Sequence, residues 1–99
     1  MIGGMEGAAR LSAVHVIVRG RVQGVSYRDA LRLRATESAV RGWVRNTDDG
    51  AVEALLVGRP TAVDRLIDWM RTGPEEAVVL KLVTEPATDP GGDGFQILR

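Results

Sequence analysis

Cysteine is absent from this chain of 99 residues, and aromatic side chains make up only 4 % of it. Without a thiol the chain has no disulfide, no thiolate metal site and no cysteine nucleophile. It contains one histidine, His15, and no apolar run long enough to cross a bilayer. A hydrophobic content of 44 % and a charged content of 26 % are typical of a globular domain, neither disordered nor membrane-embedded.

We expect no signal peptide, because the first nine residues have neither the basic stretch nor the apolar core of one. We interpret residues 1–12 as a flexible tail and residues 13–99 as one domain, and we expect a cytoplasmic monomer. The formal net charge is zero but unevenly distributed, since eight of the 13 basic residues are arginines between Arg10 and Arg45. The first half should therefore attract anions, as a phosphate enzyme or a nucleic-acid binder does.

The spacing of apolar residues predicts an alternation of strands and helices. Strands are predicted over residues 13–19, 40–46, 51–57, 77–85 and 95–98, with helices over 25–38 and from 60 to about 72. The resulting order β-α-β-β-α-β is an α+β, ferredoxin-like sandwich with a mixed, largely antiparallel sheet and two helices on one face. Right-handed crossovers make the first two strands parallel, with the third between them. The carboxyl ends of the first two strands then meet at one sheet edge.

One segment at that edge has the composition of an anion-binding turn: Gly20-Arg21-Val22-Gln23-Gly24-Val25-Ser26-Tyr27-Arg28. A glycine-bearing turn between a strand and a helix presents free amides at the positive end of the helix dipole. Arg28, in the first turn of the helix, adds a planar fork of donors that matches phosphate oxygens. We predict that the segment from Val22 to Arg28 binds phosphate, although Arg28 alone is equally consistent with a solvated arginine.

Asn46 ends the second strand at the same edge. An asparagine there commonly caps the following turn, but beside Arg28 its amide could instead hold a water molecule. His15 is out of phase with the valines of its strand, which favours a solvated or structurally satisfied imidazole over a catalytic base. Asp48 and Asp49 are interpreted as turn residues.

The chemistry available to such a site is limited. No carboxylate pair, Ser/His/Asp trio or metal-ligand spacing is present, so hydrolysis of a phosphate monoester, a very slow uncatalysed reaction, is excluded. Positioning and charge stabilisation suffice for an already activated phosphate anhydride.

The chain resembles the acylphosphatases over residues 13–99. The resemblance is carried by the segment from Gly20 to Arg28 and by Gly42-Trp43-Val44-Arg45-Asn46. It extends to Asp49-Gly50-Ala51-Val52-Glu53, Trp69, Gly73-Pro74 and Phe95-Gln96-Ile97. It implies hydrolysis of a small-molecule acyl phosphate to a carboxylate and orthophosphate, without metal or organic cofactor. It also implies that Arg28 and the amides of Val22, Gln23, Gly24, Val25, Ser26 and Tyr27 bind phosphate, that Asn46 orients the water, and that the substrate's own phosphate takes the proton.

Two positions depart from that family's pattern. Ser26 replaces the usual glycine, cysteine or other small residue, and its hydroxyl is a possible helix cap. Ala39 stands where a glycine usually ends the first helix, so a modified helix end is expected.

Two other functions remain open. One is a non-catalytic anion-binding regulatory module on the same fold. The other is an RNA-binding domain, which the scarcity of paired sheet aromatics disfavours.

Overall fold

The computed structural model describes residues 10–99. Residues 1–9 of the predicted tail therefore lie outside the described residues. The first strand begins at Ser12. The elements in chain order are β1 (Ser12–Arg21), α1 (Tyr27–Glu37), β2 (Arg41–Asn46), β3 (Val52–Gly58), α2 (Pro60–Met70), β4 (Val78–Pro86) and β5 (Phe95–Ile97). No helix of the described part is long and apolar enough to cross a membrane.

The sheet has five strands in the order β4-β1-β3-β2-β5. β3 lies between β1 and β2 and is antiparallel to both, so β1 and β2 run in the same direction. The short β5 pairs parallel to β2, and β4 pairs antiparallel to β1. The predicted ferredoxin-like sandwich is confirmed, and the carboxyl ends of β1 and β2 share one edge.

Both helices cover the same face of the sheet. The stripes predicted from helical spacing are the buried ones, namely Tyr27, Leu31 and Ala35 in α1 and Val63, Leu66, Ile67 and Met70 in α2. They pack on alternate residues of the central strands, among them Val16, Val18, Val44 and Val52. Burial of this apolar surface supplies the main stabilising free energy of the fold.

The predicted strand boundaries agree with the observed ones to within two residues, but α1 begins at Tyr27 and not at residue 25. Gly24 and Ser26 both adopt left-handed φ angles, 75° and 61°, which a continuing helix does not allow.

The expectation of a modified end for α1 is wrong. Ala39 keeps the left-handed conformation at φ 57°. The Val40 amide donates to the Ala35 carbonyl at 2.8 Å and the Ala39 amide to that of Thr36 at 3.2 Å. This is the Schellman ending that a glycine would form. The buried side chains of Ala35 and Val40 favour this ending, and Ala39 keeps it despite a steric cost of about 1 kcal/mol.

Candidate active site

The loop of residues 22–26 connects β1 to α1 and carries two left-handed residues. Gly24 has φ 75° in open surroundings, since a side chain there would meet no heavy atom within 4 Å. Ser26 precedes the helix at φ 61° and ψ 25°, and its side chain makes no capping hydrogen bond. The suggestion that Ser26 caps the helix is therefore wrong. A capping serine needs an extended backbone to aim its hydroxyl at the first-turn amides.

The amino end of α1 consequently has free donors. The first hydrogen bond of the helix joins the Ala30 amide to the Ser26 carbonyl at 3.1 Å. The amides of Tyr27, Arg28 and Asp29 come earlier, so they have no acceptor within the helix. They lie at the positive end of the helix dipole, where an anion is stabilised.

A cavity of about 260 Å³ opens at this helix end, lined by Val22, Gly24, Ser26, Tyr27, Arg28 and Asp29. Arg28 is half-buried, and no carboxylate among residues 10–99 forms a salt bridge with it. Unlike Arg41 and Arg45, its guanidinium is thus available to a ligand. Of the seven residues predicted to bind phosphate, only Gln23 and Val25 do not line this cavity.

Gln23 instead fastens the loop to the β2–β3 turn. Its Nε2 atom donates to the carbonyl of Thr47 at 2.9 Å and to that of Ala51 at 2.8 Å. Thr47 directly follows Asn46, so this side chain fixes the distance between the loop and the end of β2. Two charge-neutral hydrogen bonds of this kind contribute about 1–3 kcal/mol together.

Asn46 lies on the helix-covered face of the sheet, at the same edge as the loop. It pairs with Val52 of β3, which in turn pairs with Val18 of β1. Residues opposite one another in adjacent strands point to the same face, and two strand spacings amount to about 10 Å. The predicted proximity of the loop and Asn46 is therefore present in the fold.

The Oδ1 atom of Asn46 is buried and has no hydrogen-bond partner among the described residues. A buried amide oxygen without a partner is uncommon in proteins, because its desolvation costs about 1–3 kcal/mol. Such an atom is suited to accept a hydrogen bond from a bound water molecule.

Tyr27 connects the end of the loop to α2. Its hydroxyl donates to the Met70 carbonyl of α2 at 2.7 Å, and its ring lies 5.7 Å from that of Trp69. Burial raises the pKa of this phenol well above its ordinary value, so Tyr27 stays neutral. Only 1 % of Tyr27 is exposed, which indicates that it positions Arg28 by packing.

The other polar candidates lie away from this cavity, His15 on the helix-free face of the sheet and Asp49 in the β2–β3 turn. The Nε2 atom of His15 lies 2.6 Å from Oε2 of Glu53, and Nε of Arg45 donates to Oε1 at 2.6 Å. Of the two states predicted for His15, the structure shows the structurally satisfied imidazole. Asp49 accepts hydrogen bonds from Thr47 and Arg19, which lower its pKa.

Two features of the site were not found from the sequence. Asp29 lines the cavity, and its place next to Arg28 in the first helical turn was the available signal. The role of Gln23 had no sequence signal, because its partners lie 24 and 28 residues away.

A family model for acylphosphatase matches residues 14–97 of this chain. The chain belongs to the acylphosphatase family. The acylphosphatase of Haloquadratum walsbyi is 51 % identical over 85 residues, which cover 86 % of this chain and 91 % of that relative. The acylphosphatase of Rubrobacter xylanophilus is 47 % identical over 96 residues, covering 95 % and 86 %.

The fold of the family is found again in solved structures. The crystal structure of the acylphosphatase from Bacillus subtilis superposes with a TM-score of 0.86 at 31 % identity, covering 91 % of this chain and 100 % of that one. The predicted family is thereby confirmed. Membership of the acylphosphatase family supports hydrolysis of acyl phosphates, and the comparisons give no support to the alternative of a non-catalytic module.

Proposed function

We propose that this protein hydrolyses small-molecule acyl phosphates in the cavity at the amino end of α1, acting as a monomer in the cytoplasm. The proposal rests on one arrangement above all. Among residues 10–99, the guanidinium of Arg28 forms no salt bridge and Oδ1 of Asn46 has no hydrogen-bond partner. Both residues and the first-turn amides of α1 belong to the same edge of the sheet.

Phosphate recognition is assigned to the loop. The amides between Val22 and Arg28 and the guanidinium of Arg28 donate to the phosphate oxygens, where negative charge is concentrated. Because these donors are held by the helix end and by Gln23, they need no reorganisation when charge redistributes in the transition state. Positioning and electrostatic stabilisation are the main contributions that phosphoryl transfer requires from a protein.

Asn46 is assigned the role of orienting the water molecule that attacks phosphorus. Its Oδ1 accepts a hydrogen bond from the water, whose oxygen forms a bond to phosphorus. The bond between phosphorus and the acyl oxygen breaks, and the carboxylate leaves with the electron pair. A phosphate oxygen of the substrate takes the proton of the water. His15 has no part in this step, because it lies on the other face of the sheet.

Benzoyl phosphate provides the direct test, because its hydrolysis is followed by ultraviolet absorbance. We expect turnover without added metal, and competitive inhibition by inorganic phosphate. Binding of phosphate without any loss of benzoyl phosphate would instead establish the anion-binding module and contradict the proposal.

A further inference from the structure

The turn between α2 and β4 lies beside the phosphate loop. Gly73 lies three residues beyond the end of α2 at φ 71°, and a side chain there would come within 2.7 Å of the Tyr27 ring. Because glycine has no side chain, the backbone at Gly73 passes close to Tyr27. The next four residues form a tight turn, closed by a hydrogen bond of 2.9 Å from the Ala77 amide to the Pro74 carbonyl. Glu75 and Glu76 occupy its two central positions.

A second cavity, of about 300 Å³, lies between this turn and the loop. It is lined by Val25, Ser26, Pro74, Glu75 and Glu76. Ser26 lines the phosphate cavity as well, so the two cavities adjoin at this residue. Val25 and Pro74 supply apolar surface, and the volume is sufficient for a small organic group.

The geometry of hydrolysis at phosphorus decides which part of the substrate enters this cavity. In an in-line displacement the attacking water and the leaving oxygen lie on opposite sides of phosphorus. Asn46, assigned to the water, is on β2, two strands from β1 on one side. The turn precedes Val78, which pairs with Arg21 at the end of β1 on the other side. The leaving acyl group therefore points away from Asn46 and toward Pro74, Glu75 and Glu76.

The second cavity is bordered by negative charge. Glu75 and Glu76 are exposed, and among residues 10–99 neither forms a salt bridge. An acyl group bearing a second carboxylate would meet two like charges there, whereas a cationic group would be attracted.

We propose that the cavity between Ser26 and the Pro74–Ala77 turn is the acyl subsite, and that Glu75 and Glu76 make the enzyme prefer cationic or neutral acyl groups over anionic ones. The proposal rests on the proposed hydrolysis and goes beyond it by assigning the substrate class. The location of the subsite is inferred from the adjoining cavities and from the direction of displacement. The two carboxylates determine only its charge preference.

Three aryl substrates of similar shape test the proposal: benzoyl phosphate, 4-(trimethylammonio)benzoyl phosphate and 4-carboxybenzoyl phosphate. The measured quantity is the ratio of kcat/KM for the cationic substrate to that for the anionic one. Comparing this ratio between proteins cancels the intrinsic reactivities of the two substrates. In the double variant Glu75→Gln, Glu76→Gln we expect the ratio to fall about tenfold at low salt. Salt near 1 M should reduce the ratio of the unmodified protein in the same direction.

Glu85→Gln is the matched control, because Glu85 is an exposed glutamate near the far end of β4, opposite His15. It should leave the ratio unchanged. If the double variant still hydrolyses the substrates but keeps the ratio within a factor of two, the acyl subsite is wrong and the proposed hydrolysis stands. If the unmodified protein hydrolyses none of the three substrates, both proposals are overturned.

Discussion

On the helix-free face of the sheet, Glu53 is hydrogen-bonded to both His15 and Arg45, so the charged groups satisfy one another. At the loop edge, Arg28 has no salt-bridge partner among residues 10–99, and the buried Oδ1 atom of Asn46 has no hydrogen-bond partner among them. Both regions are polar and half-buried, but among residues 10–99 the charges of the first region are paired, whereas Arg28 in the second region is not. Unsatisfied polar groups, and not polar groups as such, distinguish the candidate active site.

The strongest test of this difference removes the forked donor at the loop edge. Lysine at position 28 keeps the charge but loses the bidentate geometry. We expect Arg28→Lys to lower kcat/KM for benzoyl phosphate about a hundredfold or more. Arg32→Lys is the control, since Arg32 is exposed on the same helix one turn later. Retention of activity within threefold by the Arg28 variant would assign phosphate binding to the amides alone.

Asn46 separates water positioning from phosphate binding. In Asn46→Ala we expect kcat to fall about a hundredfold, because the water is no longer oriented, while the inhibition constant of inorganic phosphate changes less than twofold. Gln96→Ala, at an exposed position of β5, should change neither constant. Equal losses of turnover and phosphate affinity would mean that Asn46 binds the ligand and does not orient water.

Gln23 tests whether the distance between the loop and Asn46 matters. Gln23→Ala removes both hydrogen bonds to the β2–β3 turn, so we expect the free energy of unfolding to fall by about 1–3 kcal/mol. We expect kcat to fall about tenfold as well, because the phosphate cradle and the water lose their relative position. Urea unfolding and steady-state kinetics measure the two effects. A loss of stability with unchanged kcat would restrict Gln23 to a structural role.

A substitution on the helix-free face should change the stability of the fold and not the catalytic activity. Burial alone would raise the pKa of Glu53, but the hydrogen bonds from His15 and Arg45 outweigh it and lower the pKa below its ordinary value. A lowered pKa in the folded state means stabilisation that is complete above the unfolded pKa and is lost as the pH falls through the folded value. Glu53→Gln should therefore lower the free energy of unfolding by about 1 kcal/mol at pH 7 and by less at pH 3, with kcat unchanged.

Urea unfolding of both proteins at the two pH values measures this difference. An equal cost at both pH values would show that the charge of Glu53 contributes nothing to the fold. A fall in kcat at pH 7 would remove the functional distinction between the two regions.

Much of the fold follows from local patterns in the chain. The alternating valines of β1, the stripe from Val63 to Met70 and the Pro60 start of α2 depend on residues within a few positions of one another, and all three are observed. The start of α1 was missed because Ser26 adopts a left-handed conformation. The end of α1 was missed because tertiary burial of Val40 holds Ala39 in a conformation that its side chain disfavours.

Residue types and their spacing by themselves determined the order of the elements, the prediction that the loop binds an anion and the candidacy of Arg28 and Asn46. Only the tertiary structure decided that Gln23 joins the loop to the β2–β3 turn and that Glu75 and Glu76 border the second cavity. It also showed that the Asn46 oxygen has no hydrogen-bond partner within residues 10–99. The physical reason is separation along the chain. Hydrogen-bond partners and cavity walls come from strands and turns tens of residues apart, whose contacts exist only once the sheet has formed.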